Sequence, residues 1–169
     1  TWYWIGEDKS GNSAGFKGVN CYASTDLVTW QLRGAVLTRA TAPELEAMDR
    51  IIERPKVSYN ASAQRYVMWL HWEGRNYAEA KAGVFSSENV DGPYTFHAAF
   101  QPLGNMSRDD TLFVDDDGVA YFISAANENA DLMVYQLTPD YLEIERHVIK
   151  LWAGQKREAP AIFKDQGVY

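Results

Sequence analysis
Apolar residues along this chain come in runs of four or five, rich in β-branched and aromatic side chains and closed by polar turn residues, a pattern that predicts strands rather than helices. The clearest runs are Trp2–Ile5, Val19–Tyr22, Tyr66–Leu70, Thr111–Val114, Val119–Ile123 and Leu132–Tyr135. Asp116-Asp117-Gly118, between two of them, predicts a tight hairpin, because an Asp-Gly pair tolerates the positive φ angles of such turns. Asn60–Gln64 and Asp165-Gln166-Gly167 hold the corresponding place ahead of other Tyr-led strands. A single helix is expected, starting at Thr41, where Thr41 and Glu44 match a capping box with Pro43 in the first turn, and ending near Arg50.

The strands repeat. Arg54-Pro55-Lys56-Val57-Ser58-Tyr59, Asp109-Asp110-Thr111-Leu112-Phe113 and Ala159-Pro160-Ala161-Ile162-Phe163 each run from a polar or Pro start to an aromatic, and each is followed by a turn and a strand opened by Tyr66, Tyr121 or Tyr169. Tyr3 falls at an earlier copy of that last position. The aligned aromatics Tyr59, Phe113 and Phe163 stand 54 and 50 positions apart, the spacing of four-stranded propeller blades. Third strands follow in register at Gly18–Tyr22, Gly83–Ser87 and Met133–Gln136. The expectation is an all-β partial β-propeller over residues 1–169: part of blade 1, blades 2 and 3, and the start of blade 4. About three blades do not close a ring, so the remaining blades are expected from a longer chain or another copy.

Composition narrows the partners. With 16 Lys+Arg against 23 Asp+Glu, a net charge of −7 and no basic cluster, the chain lacks the electrostatic footprint of a nucleic-acid or anionic-membrane binder. No apolar run is long enough to span a bilayer. One cysteine, Cys21, and three scattered histidines offer neither a disulfide nor a zinc pattern.

Carboxylates recur at the start of each repeat: Glu53, Asp109 and Glu158, four to six positions before the aligned aromatic. The first strand of a propeller blade runs beside the axis, so these acids would converge on one central pocket. Acids also precede strands as plain turn groups, and the shared register across three blades is what favours the pocket. Convergent carboxylates suit cleavage of a glycosidic bond, where one protonates the leaving oxygen and the others adjust its acidity or activate water. Arg54, Arg108 and Arg157 adjoin these acids, either as buried partners or as surface ion pairs. Asp115-Asp116-Asp117 reads as a solvated hairpin, with calcium as the minor alternative.

His71-Trp72-Glu73 and Asn76-Tyr77 are expected in the loop after a second strand, at the pocket rim, where Trp72 and Tyr77 would stack on a sugar face; Trp69 is expected in the core. Asn127-Glu128-Asn129 and Glu7 fall at the equivalent rims of the next and preceding blades, where amides and carboxylates suit hydroxyl recognition.

These residues together resemble glycoside hydrolase family 43, whose enzymes are five-bladed β-propellers with an inverting mechanism. The resemblance is carried by Glu53-Arg54-Pro55-Lys56-Val57, by Gly104 through Phe113 with Asp115-Asp116-Asp117-Gly118, and by Arg157-Glu158-Ala159-Pro160, and it looks closest to the exo-β-1,3-galactanase branch. It implies that Glu158 is the general acid, that Asp109 orients it and tunes its acidity, and that Glu53 binds hydroxyls of the terminal sugar. Tyr77, Asn127 or Asn129, and Glu7 carry over as subsite residues. It implies an oligosaccharide or polysaccharide substrate, no cofactor and no metal, and a secreted, periplasmic or cell-surface location. The water-activating group of the family would lie outside these 169 residues. Hydrolysis of an arabinofuranosyl or xylosyl substrate, and a carbohydrate-binding propeller fragment without catalysis, are the rival readings.

Overall fold
The computed structural model describes residues 1–10 and 15–169. Eleven strands are described, in three antiparallel sheets whose strands follow one another in chain order. The first sheet holds β1 (Trp2–Glu7), β2 (Gly18–Ser24) and β3 (Gln31–Thr38). The second holds β4 (Ile51–Asn60), β5 (Arg65–Glu73), β6 (Lys81–Ser87) and β7 (Thr95–Phe100), and the third β8 (Asp110–Val114), β9 (Ala120–Ala126), β10 (Asp131–Leu137) and β11 (Ile144–Leu151). The sheets are successive propeller blades, and β4 packs against both β1 and β8.

Side-chain alternation explains why the blades stack. Successive residues of a strand point to opposite faces, so a middle strand with blades packed on both faces is apolar at successive positions wherever it builds the two cores. β5 is such a strand. Met68, Leu70 and Trp72 enter one core with Val19, Cys21, Val36 and Leu37 of the first blade, while Val67 and Trp69 enter another with Phe122, Met133 and Tyr135 of the third. Gly83 on β6 is dictated by this packing, because a Cβ there would stand 2.7 Å from a Leu70 methyl and 3.0 Å from the Trp72 ring. Trp69 is fully buried, as its sequence position implies, and its indole N–H donates to the Tyr141 carbonyl at 2.8 Å.

The expected hairpin is present: Asp115 and Val119 close it, and Gly118 takes φ 83°. The helix expected from Thr41 to Arg50 is not. Arg39–Thr41 and Pro43–Leu45 form two separate 3-10 turns, and Thr38, not Thr41, is the capping residue, with the Thr41 hydroxyl accepting from the Thr38 amide at 2.8 Å. Ala42 is extended, as a residue before proline prefers, which breaks the helix before it can propagate. Arg39 then takes up the carbonyls of Phe16, Glu46, Ala47 and Met48 through its guanidinium. Among the described residues no helix is long and apolar enough to cross a membrane.

Candidate active site
Two of the three segments that carry the repeated acids, those of Glu53 and Glu158, share a left-handed residue just after the acid, although the second forms no strand. On β4 two residues, Arg54 and Pro55, stand opposite the single Leu70 of β5, between the pairs Glu53–His71 and Lys56–Trp69. This bulge puts Arg54 at φ 55°, an unfavourable conformation for a non-glycine residue. Ala159, the residue between Glu158 and Pro160, takes φ 54°, so the second acid-X-Pro segment repeats the strain. Consecutive strand residues ordinarily point to opposite faces, and the bulge lets both Glu53 and Arg54 serve the same site.

Arg54 reaches across to the next blade rather than to its chain neighbour. Its Nε and Nη2 donate to the two carboxylate oxygens of Asp109 at 3.0 and 2.9 Å, a fork that fixes both position and rotation of the carboxylate. The Arg54 backbone amide donates to Glu7 Oε1 at 2.9 Å, and Lys9 pairs with Glu7 Oε2 at 2.6 Å. Lys9 also stands 3.4 Å from Glu53. Tyr77, 41% exposed, donates its hydroxyl to Glu53 Oε1 at 3.0 Å. Glu7, Glu53, Tyr77 and Asp109 are thus brought into one cluster at one end of the blades.

Beneath them lies a buried ionic row. His71, 2% exposed, stands with Nδ1 3.4 Å from Glu53 Oε2 and Nε2 3.1 Å from Glu73 Oε1. Glu73 is fully buried, accepts the Glu79 amide at 2.9 Å, and faces Arg108 Nε at 3.8 Å. Arg108 in turn donates to the Tyr77 carbonyl and pairs with Glu128 at 2.9 Å. Next to Glu128, Asn129 Nδ2 donates to Glu158 Oε2 at 2.8 Å. Contacts therefore run from Glu7 in the first blade to Glu128 in the third, and the adjacent Asn129 holds Glu158.

The electrostatics follow from these neighbours. The His71 contact, with Tyr77 and Lys9, outweighs partial burial and holds the Glu53 carboxyl down at about 2. Burial would lower His71, but the carboxylates on either side raise it to about 9. Burial opposes ionised Glu73, yet His71 and the backbone amides of Ala80 and Glu79 keep it below the ordinary value. Asp110, beside Asp109, has neither carboxylate oxygen hydrogen-bonded among the described residues, and burial pushes it up to about 8 against the pull of Lys56 and His71.

One expected placement changes. Trp72 does not line a rim: β5 continues to Glu73, so Trp72 keeps the parity of Leu70 and lies in the first inter-blade core, 2% exposed, beside Phe85 and Phe96 and under the Arg50 guanidinium at 4.4 Å. Asn127 turns its amide to Asp131 at 3.4 Å, and Asn129 turns its own to Glu158. Sequence reading missed the roles of His71, Glu73 and Asp110. The signal for the first two was the alternation Leu70-His71-Trp72-Glu73, which extends a strand instead of opening a loop. Residues 127–129 all take positive φ, as do Asn76 and Tyr77, so two of the loops that deliver site groups are in left-handed conformations. Asp115 and Asp116 pair with Lys164 at 2.6 and 2.8 Å, and no group of three metal-ligating side chains occurs among the described residues.

Comparison with known proteins shows the family of the chain. The model of glycosyl hydrolases family 43 matches residues 9–169. An exo-β-1,3-galactanase from Clostridium thermocellum superposes with a TM-score of 0.92 at 50% identity, over 97% of this chain and 38% of that one. The exo-β-1,3-galactanase of Phanerochaete chrysosporium, solved with β-1,3-galactotriose, gives 0.92 at 38% identity over 97% of this chain and 38% of its own. A xylan 1,3-β-xylosidase from a Vibrio species is 28% identical over 117 residues, 64% of this chain and 21% of that protein. The chain therefore spans well under half the length of these relatives.

Proposed function
The chain belongs to glycosyl hydrolase family 43, and from that premise we propose that the protein is an exo-acting, inverting glycoside hydrolase that releases galactose from the non-reducing end of β-1,3-galactan. The observation that carries the reading is the joining of the two acids Glu53 and Asp109 in one network, Glu53 through Lys9 to Glu7, and Glu7 through Arg54 to Asp109, while Glu158 is held by Asn129, next in sequence to Glu128 of the ionic row. The similarity to galactanases of known structure supports galactose as the sugar.

In this reading Glu158 donates its proton to the glycosidic oxygen as the bond to the anomeric carbon breaks, and a water attacks that carbon from the opposite face, inverting it. Asp109, held by the Arg54 fork, orients the acid and the reacting sugar. Glu53 accepts hydrogen bonds from hydroxyls of the terminal sugar, with Tyr77 and Glu7 beside it. The group that activates water comes from outside the 169 residues, supplied by further blades. The substrate is met outside the cytoplasm, consistent with a secreted, periplasmic or cell-surface protein.

The test is galactose release from a β-1,3-linked galacto-oligosaccharide, with circular dichroism to establish folding. The expected result is turnover by the wild type and a loss of about 10²–10⁴-fold in Glu158→Gln, the usual worth of a general acid. Turnover unchanged in Glu158→Gln overturns the assignment. The 28% identity to a xylan 1,3-β-xylosidase favours a second reading, the same chemistry on a pentosyl substrate, and a panel of nitrophenyl glycosides separates the two. Binding without turnover, indifferent to Glu158→Gln, would instead mark a carbohydrate-binding module.

A further inference from the structure
We propose that His71 is a positioning residue of this site: set between Glu53 and Glu73 with a proton on each ring nitrogen, it holds the Glu53 carboxylate ionised and turned toward the hydroxyls of the bound sugar. The inference rests on the glycosidase reading above for what Glu53 does, but not for the state of the ring.

The argument is one of donors and acceptors. A neutral imidazole has one N–H and one lone pair, whereas the imidazolium donates from both nitrogens. Here Nε2 is hydrogen-bonded to Glu73 Oε1 at 3.1 Å, and Nδ1, buried and without a hydrogen-bond partner among the described residues, lies at ion-pair distance, 3.4 Å, from Glu53 Oε2, so either neutral tautomer would set a lone pair beside a carboxylate oxygen. The ring cannot turn away, because it is 2% exposed at the end of β5, with the Tyr77 ring centroid 6.0 Å from its own. Glu73 cannot leave either, since it is fully buried with a backbone amide on its second oxygen.

All the charged neighbours favour this state or leave it alone. Glu53 comes from β4, Glu73 from β5 itself, and Asp110 from β8; burial raises Asp110, and whatever charge it carries also favours the protonated ring. Arg108 lies on the far side of Glu73 and Lys9 on the far side of Glu53, each separated from the ring by the carboxylate that it shares. A fully buried Glu73 also makes sense in these terms. Its charge balances His71 at the bottom of the site, so that Glu53 at the top can spend its hydrogen-bonding capacity on Tyr77 and on substrate.

Nuclear magnetic resonance of ¹⁵N-histidine-labelled protein tests the ring directly, since the chain has only three histidines. His71 should show two protonated nitrogens at pH 7.5 and lose a proton near pH 9, and Glu73→Gln should move that loss at least one pH unit lower. A His71 that is neutral at pH 7 overturns the proposal. The second readout is the pH dependence of KM on a β-1,3-galacto-oligosaccharide in the full-length protein. In His71→Asn, and in His71→Gln should the first variant fail to fold, KM should rise several-fold more at pH 4.5 than at pH 7, with kcat changing equally at both. A pH-independent change in KM would reduce His71 to a packing residue and overturn the proposal. If the wild type cleaves no galacto-oligosaccharide, the sugar reading falls by itself, and the ¹⁵N spectrum still decides the state of His71.

Discussion

The two halves of β5 are neighbours in one strand and do opposite work. From Val67 to Leu70 every side chain is apolar and fully buried, feeding two inter-blade cores alternately. At the other end His71 and Glu73 are buried just as deeply but carry charge. Apolar burial stabilises the fold at about 25 cal/mol per Å². Buried ion pairs contribute little net stability, because desolvation offsets their attraction, although removing one partner is costly. The difference teaches that burial alone does not identify a core. Where burial coincides with charge at the central end of a blade, the residues support a site.

The comparison breaks most sharply at Trp69. Trp69→Ala should lose about 3–5 kcal/mol in chemical denaturation while the protein that remains folded keeps its specific activity. A variant of unchanged stability but lost activity would mean that the apolar half also serves the site.

Arg54→Ala is the opposite probe. It removes the fork on Asp109 from a partly exposed position, so stability should change by less than about 1 kcal/mol, while kcat falls on the order of 10–100-fold through misplacement of the carboxylate. Steady-state kinetics beside a melting curve reads both quantities.

The pH dependence of stability sharpens the contrast next. Asp110 is raised to about 8 when folded, so between about pH 4 and 8 the unfolded chain holds fewer protons than the folded one, and stability falls as pH rises. Asp110→Asn should remove that fall and melt higher than wild type at pH 8 but not at pH 4. His71, raised to about 9, has the same sign over a later window: its contribution is full below about 6.5 and gone above about 9. Glu53, lowered to about 2, works the other way, with a contribution present above about 4.5 and lost as pH falls toward 2. Melting curves from pH 3 to 9 should therefore peak near pH 5, and a profile that rises steadily to pH 8 would contradict the buried charge states.

Tyr77→Phe should give the smallest effect. It deletes one hydroxyl on Glu53 from a side chain that is 41% exposed, so KM should rise a few-fold and the melting temperature should hold within about 0.5 kcal/mol equivalent.

The alternation of short apolar runs was enough to define most of the strands, because strand patterning is local, but the third repeated segment, Ala159–Phe163, forms no strand in the structure. The helix expected at Thr41 failed for a reason also written locally, the extended preference of a residue before proline, which Ala42 obeys. Trp72 was misplaced because the strand was ended at Leu70, and alternation through Glu73 would have returned it to the core. Other features were not legible. That Arg54 serves Asp109 of the next blade rather than Glu53 beside it depends on a bulge and on the distance between two blades. That His71 lies between two carboxylates, and that Asp110 has no partner for either oxygen among the described residues, depends on which strands pack around them. Sequence alone determined which side chains alternate along each strand. Only the packing of blade on blade decided which charges meet and how much water they lose, and those two quantities set the chemistry of a buried ionisable group.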